Sequence, residues 1–196
     1  MTAFEELAVW AQFKNGDKRA FEAIYHQHYG ALVNYGLRLK QDVNFVEEAV
    51  QDLFVKLWQN RDNLNRPASL KHYLLKSLRN IIYNKLNAVS REFYVGDETD
   101  MLGFEFHIPR DSTDYHQQLL KKLMAELTDR QKEAVYLFYQ EELSYQEISD
   151  VLKIKIGGTY KLIYRALEKM KSGFHRQVTP SKESLADPAI MQKTSS

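Results

Sequence analysis

The sequence predicts an all-α protein built as two small helical modules joined by a flexible linker, the second a four-helix domain containing a helix-turn-helix. Three observations carry that reading. Apolar residues recur every three to four positions through residues 1–90 and again after residue 116, and strand-like alternation is nearly absent. Helix-capping residues stand at the start of several of these stretches. Between them, Arg91 to Tyr115 contains glycines, a proline and many acids, with no sustained period.

The elements follow in order. Thr2-Ala3-Phe4-Glu5 looks like a capping box for a first helix ending near Asn15-Gly16. Asp17 is placed to cap a long helix from Lys18 to about Lys40, with Phe21, Ile24, Tyr25, Tyr29, Leu32, Val33 and Leu37 on one side. Asn44 is a candidate cap for the next, whose apolar stripe is Val46, Ala49, Val50, Leu53, Phe54, Leu57 and Trp58. A turn-rich loop with one proline precedes Ser69, which can cap a helix from Leu70 to about Asn87. These helices suffice for one compact module, residues 1–90. In the linker, Phe93, Tyr94, Phe104 and Phe106 are candidate sticky points. The second module, 116–175, is predicted from helices at Gln117–Glu126 and Asp129–Tyr139 and the two that follow. Residues 176–196, rich in Ser, Pro and Lys, read as a disordered tail.

Composition excludes several classes. The 196 residues are 44% hydrophobic and 27% charged, which suits a folded soluble protein. No apolar run approaches the ~20 residues that span a bilayer, and the acidic, amphipathic beginning is unlike a secretory signal. There is no cysteine, which removes disulfides and thiol chemistry and fits a reducing compartment. His26 and His28 lie two apart on a helix and diverge by about 200°, so they do not share a metal easily. No zincin, nucleophile-elbow or P-loop motif is present, and the sequence suggests no catalytic group, metal, cofactor or small-molecule substrate.

The net charge of +1 hides a segregated pattern. From Arg66 to Arg91 the ionic residues are all basic, and from Lys153 to Arg176 seven basic residues face only Glu168. Glu47, Glu48 and Asp52 cluster elsewhere. One basic patch is equally well a solvated face; two, on separate modules, point to a long anionic polymer.

The sharpest local signal is Glu142 to Lys171. Ser144-Tyr145-Gln146-Glu147 is a capping box, and Ile148, Val151 and Leu152 form an apolar face. A break follows at Lys153 to Lys155, with Ile154 and Ile156 expected to anchor the corner in the core. The next helix should bury Thr159, Ile163, Ala166 and Met170 and present Gly157, Gly158, Lys161, Leu162 and Arg165. That is the geometry of a helix entering the major groove. Glycines at its start let unpaired N–H groups approach a phosphate or base edge closely; the alternative is that the pair only solves a turn. Lys161 and Arg165 can bond bases or phosphates, Leu162 can touch a thymine methyl, and Tyr160 and Tyr164 can reach phosphates or serve packing.

With both modules in view, the chain resembles bacterial RNA polymerase sigma factors, and more narrowly the two-domain extracytoplasmic-function (ECF) group. The resemblance covers about Phe13 to Lys171. "EEAVQDLFVKLWQNRDNL" is similar to the family's polymerase-docking region. "YLLKSLRNIIYNKL" is similar to the region that melts and reads the downstream promoter element, with the Arg-Asn pair at Arg79-Asn80. "LTDRQKEAVYLFYQEELSYQEISDVL" followed by "YRALEKM" is similar to the fourth region. Departures at Tyr73-Leu74, Asn84 and Gly158-Thr159-Tyr160-Lys161-Leu162 affect promoter sequence, and the "Y-x-L-I-Y-R-A-L" form resembles a branch common in Bacteroidetes.

The resemblance implies an alternative sigma factor, cytoplasmic and not an enzyme, whose partners are core RNA polymerase and promoter DNA, with an anti-sigma factor as a further partner it allows. Glu48, Gln51, Asp52, Phe54 and Lys56 would bind polymerase. Lys71, Tyr73, Lys76, Arg79, Asn80 and Lys85 would hold the downstream element, with a flipped base caught in the loop Leu64 to Leu70. Gly157, Gly158, Tyr160, Lys161, Leu162 and Arg165 would hold the upstream element as duplex. The alternative is a helix-turn-helix regulator that does not bind polymerase.

Overall fold

The computed structural model describes residues 3–90, 102–106 and 114–178, and these are helices joined by short connections, with no strand among them. The first module comprises α1 (Ala3–Lys14), α2 (Lys18–Leu39), α3 (Val43–Gln59), a 3₁₀ turn (Arg61–Asn63) and α4 (Leu70–Ser90). The second comprises α5 (Asp114–Ala125), α6 (Asp129–Tyr139), α7 (Tyr145–Leu152) and α8 (Ile156–Val178). Thr2, Phe93, Tyr94 and the tail beyond residue 178, for which the sequence raised a cap, sticky points and disorder, lie outside the described residues.

Short polar side chains start the helices. Asp17 accepts from Arg19 N–H at 2.8 Å at the head of α2, and Ser69 Oγ accepts from His72 N–H at 3.2 Å at the head of α4. Thr128 with Gln131, and Ser144 with Glu147, form complete capping boxes for α6 and α7. The cap of α3 differs from the expected Asn44. Asp42 holds the extended backbone a cap needs, and its carboxylate accepts from Phe45 N–H at 3.1 Å. Asn44 is therefore already inside the helix.

Gly36 lets α2 and α3 cross closely: a Cβ there would sit 2.5 Å from Val46 Cγ1. Around that crossing Ile24, Leu32, Tyr35, Val46, Val50, Leu74, Leu78 and Ile82 are fully or almost fully buried. The same apolar cluster continues through Phe104 into Tyr136, Leu137, Ile148 and Leu152 of the second module. The modules therefore pack on one another, α4 against α7. Within the segment expected to be a flexible linker, Leu102 and Phe104 are buried between the modules, and Glu105 N–H donates to Arg38 C=O at 2.8 Å. The Gln41 amide also donates to the Glu105 carboxylate.

Candidate nucleic-acid and polymerase interfaces

The outer face of α3 is one candidate surface. Gln51, Val55 and Lys56 are exposed, and the Glu48 and Asp52 side chains are 66% and 43% exposed. Phe54 is instead buried, edge-on to Phe21 at 6.0 Å and 4.8 Å from Tyr25. It forms the floor of a shallow apolar groove lined by Phe21, Tyr25, Gln51, Val55 and Trp58. Acid and apolar groove thus lie side by side, as a helix-binding surface requires.

Lys85, expected on the DNA side, belongs to this acidic edge. Its ammonium lies 2.8 Å from Glu48 Oε1 and 2.9 Å from Asp52 Oδ2. The hydrogen bond it donates to Glu48, followed by that to Asp52, raises its pKa.

A second concavity opens between α3 and α4. Its walls include Lys56, Asn60, Leu64, Tyr73, Ser77 and Asn80. It brings Tyr73 and Asn80 together with Lys56, which the resemblance had placed on the polymerase side. Asn60 and Ser77 were missed. Asn60 gave no separate signal because it sits in a loop of turn residues, where it also donates to Lys56 C=O at 2.8 Å. The pocket lies beside Leu64, at the start of the loop expected to catch a base.

The remaining basic residues of α4 pair with acids of the second module, although the Lys71 and Lys76 side chains stay 35% and 40% exposed. Lys71 pairs with Glu141 at 2.9 Å and Lys76 with Asp150 at 3.8 Å. Arg79 is buried and donates through Nε to Glu133 Oε1 at 2.9 Å and through an Nη to Oε2 at 3.2 Å. Tyr35 O–H donates to the same Oε1 at 2.5 Å. Burial opposes the charge on Arg79, but the Glu133 carboxylate outweighs it and raises the pKa. Burial, then the nearby carboxylate, pushes the Tyr35 phenol well above its ordinary value, so it stays a donor. These acids of the second module gave no signal because their spacing in the sequence is that of ordinary helix-face residues.

The helix-turn-helix is formed by α7 and α8. Its turn is made by Lys153, in the left-handed conformation at φ 53° and ψ 46°, and Ile154 N–H closes it onto Ser149 C=O at 3.0 Å. Gly157 and Gly158 lie inside the first turn of α8, and Gly16 is the glycine with positive φ among the described residues. A turn requirement therefore does not explain the pair. Thr159, Ile163 and Ala166 are buried as expected, and Met170 packs partly against the module's second apolar cluster. Ile156 is 41% exposed, contrary to its expected role as an anchor; Thr159, in the same turn, is the residue turned into the core. That leaves Gly157, Gly158, Tyr160, Lys161 and Arg165 exposed, whereas Leu162 is half-buried against the core. The Tyr160 ring stacks on Tyr145 at 4.2 Å, and Tyr164 is 65% exposed.

Comparison with known proteins agrees with this layout. Residues 24–92 match the family described as Sigma-70 region 2, and residues 117–170 match Sigma-70, region 4. The ECF RNA polymerase sigma factor SigM of Bacillus subtilis (strain 168) is 23% identical over 160 residues, covering 80% of this chain and 96% of that protein. Among solved structures, the sigma factor RpoE bound to the anti-sigma factor NepR, from Bartonella quintana, is similar with a TM-score of 0.59 and 23% identity, over 80% of this chain and 97% of the other. CnrH in complex with the cytosolic domain of CnrY gives 0.55 and 21%, over 84% and 94%. The chain belongs to the sigma-70 family, as an alternative sigma factor of the ECF group that directs promoter recognition.

Proposed function

We propose that the α3 face of Glu48, Gln51, Asp52 and the Phe54-floored groove docks core RNA polymerase. The concavity between α3 and α4 then takes a base extruded from the single-stranded downstream element, with Tyr73 as a stacking surface and Asn80 and Asn60 as amide partners. Lys71, Lys76 and Arg79 hold the adjacent backbone. Lys56 stands between the two surfaces and serves the pocket. Lys85 acts by holding Glu48 and Asp52 in place. Gly157, Gly158, Tyr160, Lys161 and Arg165 engage the upstream element as duplex, with Leu162 mostly committed to the core. The chain itself performs no catalysis, because polymerase supplies the chemistry.

The observation that supports this most directly is the concavity between α3 and α4, which sets Tyr73, Asn80, Asn60 and Lys56 around one opening. In this reading the chain is of a Bacteroidetes-like branch, which the recognition-helix sequence supports, and works in the cytoplasm with an anti-sigma factor as regulatory partner, which the anti-sigma-bound neighbours support. No helix among the described residues is long and apolar enough to cross a membrane.

The test is capture of core polymerase by the full chain. Asp52→Lys should lose capture while keeping its helical circular dichroism, since only a surface pair of at most about 1 kcal/mol is removed. Asn80→Ala should keep capture and lose open-complex formation. Full capture by Asp52→Lys would remove α3 as the docking face.

A further inference from the structure

We propose that α1 sets the shape of the base-catching loop: Lys14 and Glu6 grip its two ends and are positioning residues for the choice of base. The proposal rests on the assignment of the concavity between α3 and α4 to an extruded base made above.

Both contacts are to backbone atoms, at opposite ends of one loop. At its start the Lys14 ammonium donates to Leu64 C=O at 2.7 Å. At its end the Glu6 carboxylate accepts from Leu70 N–H at 3.2 Å. Glu6 and Lys14 are eight positions apart on one helix, which sets the grips about 12 Å apart along its axis. The loop between them can extend to about 20 Å, so the helix selects one span among many. The middle of the loop is less constrained. Asn65, Arg66 and Ala68 are exposed, and a recess of about 60 Å3 lies between the loop and Leu7 and Trp10 of α1. The position of the loop therefore depends on its ends.

Each gripped end leads into the concavity. The Leu64 side chain is one of its walls, and Tyr73 stands one turn into the helix that Leu70 begins. Ser69 satisfies His72 N–H and Glu6 satisfies Leu70 N–H, so the cap of α4 is shared between the loop and α1. A carboxylate also suits the positive end of α4. Fastening α1 to the body does not require these polar contacts. Trp10 and Phe13 are buried, and Phe13 already packs on Phe21 and Trp58. What the grips add is a preset opening. A preset pocket gives up less order when it takes its base, and a pocket that yields discriminates poorly among bases.

The test uses the full chain reconstituted with core polymerase, and short fluorescein-labelled oligothymidylate strands that differ only in carrying dA, dC, dG or dT at one central position. Anisotropy titrations give the ratio of the weakest to the tightest Kd. The parent should prefer one base by about tenfold, and Asn80→Ala should abolish the preference. Lys14→Met and Glu6→Met remove the donor and the acceptor but keep the length, and each should cut the ratio to about threefold or less. Lys14→Arg and Glu6→Gln, which keep donor and acceptor, should retain it. All should keep parental helicity and polymerase capture. Because the chain has no cysteine, a spin label at the exposed Asn65→Cys reads the loop without DNA. Its motion should rise in Lys14→Met and in Glu6→Met. Unchanged motion in both folded variants overturns the grip. Equal weakening on every strand, with the ratio intact, overturns the role in base choice and leaves the contacts a fastening. A parent without preference, or an Asn80→Ala chain that keeps it, instead removes the concavity as the base pocket, and α1 loses this role with it even where the label has loosened.

Discussion

Replacing Gly157 and Gly158 by alanine should stabilise the protein and weaken its hold on DNA. A Cβ at Gly157 would meet nothing within 4 Å, and one at Gly158 would meet only Ile154, at 4.0 Å. Neither glycine has a positive φ. Alanine therefore fits both sites without strain and gains helix propensity, up to about 1 kcal/mol each. Urea unfolding of the double variant should show a gain of about 1–2 kcal/mol with an unchanged slope. On the DNA side, the methyls stand where backbone N–H groups would approach a phosphate. Losing one charge-assisted bond there costs about 1.5–3 kcal/mol, or roughly ten- to 150-fold in Kd. Fluorescence anisotropy with duplex promoter DNA, repeated across salt concentrations, reads both affinity and phosphate count. A more stable double variant that binds as tightly as the parent would refute close approach as the reason for the glycines. A less stable one would refute the packing argument.

The other glycines separate by the same test. Gly36→Ala should lose about 1–3 kcal/mol, since its Cβ would collide with Val46, whereas Gly30→Ala, with open space, should gain up to about 1 kcal/mol; thermal unfolding distinguishes them. Lys153→Gly should relieve the left-handed turn by about 1 kcal/mol and lose about 0.5 kcal/mol of the ammonium's contact over the Tyr83 ring, for a small net gain in urea midpoint. His28 is buried, and burial lowers its pKa from near 6.5, with Glu6 opposing and Lys71 assisting. The folded state therefore prefers the neutral ring, so its stabilising effect holds above about pH 6.5 and is lost as pH falls from there through the lowered value. His28→Gln should flatten that acid slope in unfolding measured from pH 7 downward.

The elements were legible because each depends on local chemistry. The Ser144–Glu147 box, Asp17 and Ser69 fix helix starts within a few residues, whereas the Thr128–Gln131 box was recognised only in the structure. Asp42 was missed because two short polar residues, Asp42 and Asn44, stand two positions apart at the helix start and sequence alone does not rank them. Ile156 and Leu162 exchanged their expected roles for a tertiary reason. Helical spacing tells which residues share a face, but not how far the body extends beneath the first turn. The contact between the modules was the least legible feature. Glu133 is separated from Arg79 by 54 positions and from Tyr35 by 98, and no periodicity connects residues so far apart. The segment around Phe104 looked like a linker because it has no helical period, yet two buried apolar side chains are enough to seat it.

That contact also explains why the overall charge was a poor guide to function. A chain with two basic surfaces should have a strongly positive sum, but here it is +1. Part of the compensating acid is not scattered over the surface. Glu133, Glu141 and Asp150 meet Arg79, Lys71 and Lys76 across the seam, and Glu48 and Asp52 meet Lys85. No basic residue from Lys153 to Arg165, in the turn and the first half of α8, has such a carboxylate opposite it in these pairs. The two basic surfaces are therefore unequal in the packed chain: Lys161 and Arg165 of α8 are exposed, whereas most of the α4 row is paired with carboxylates.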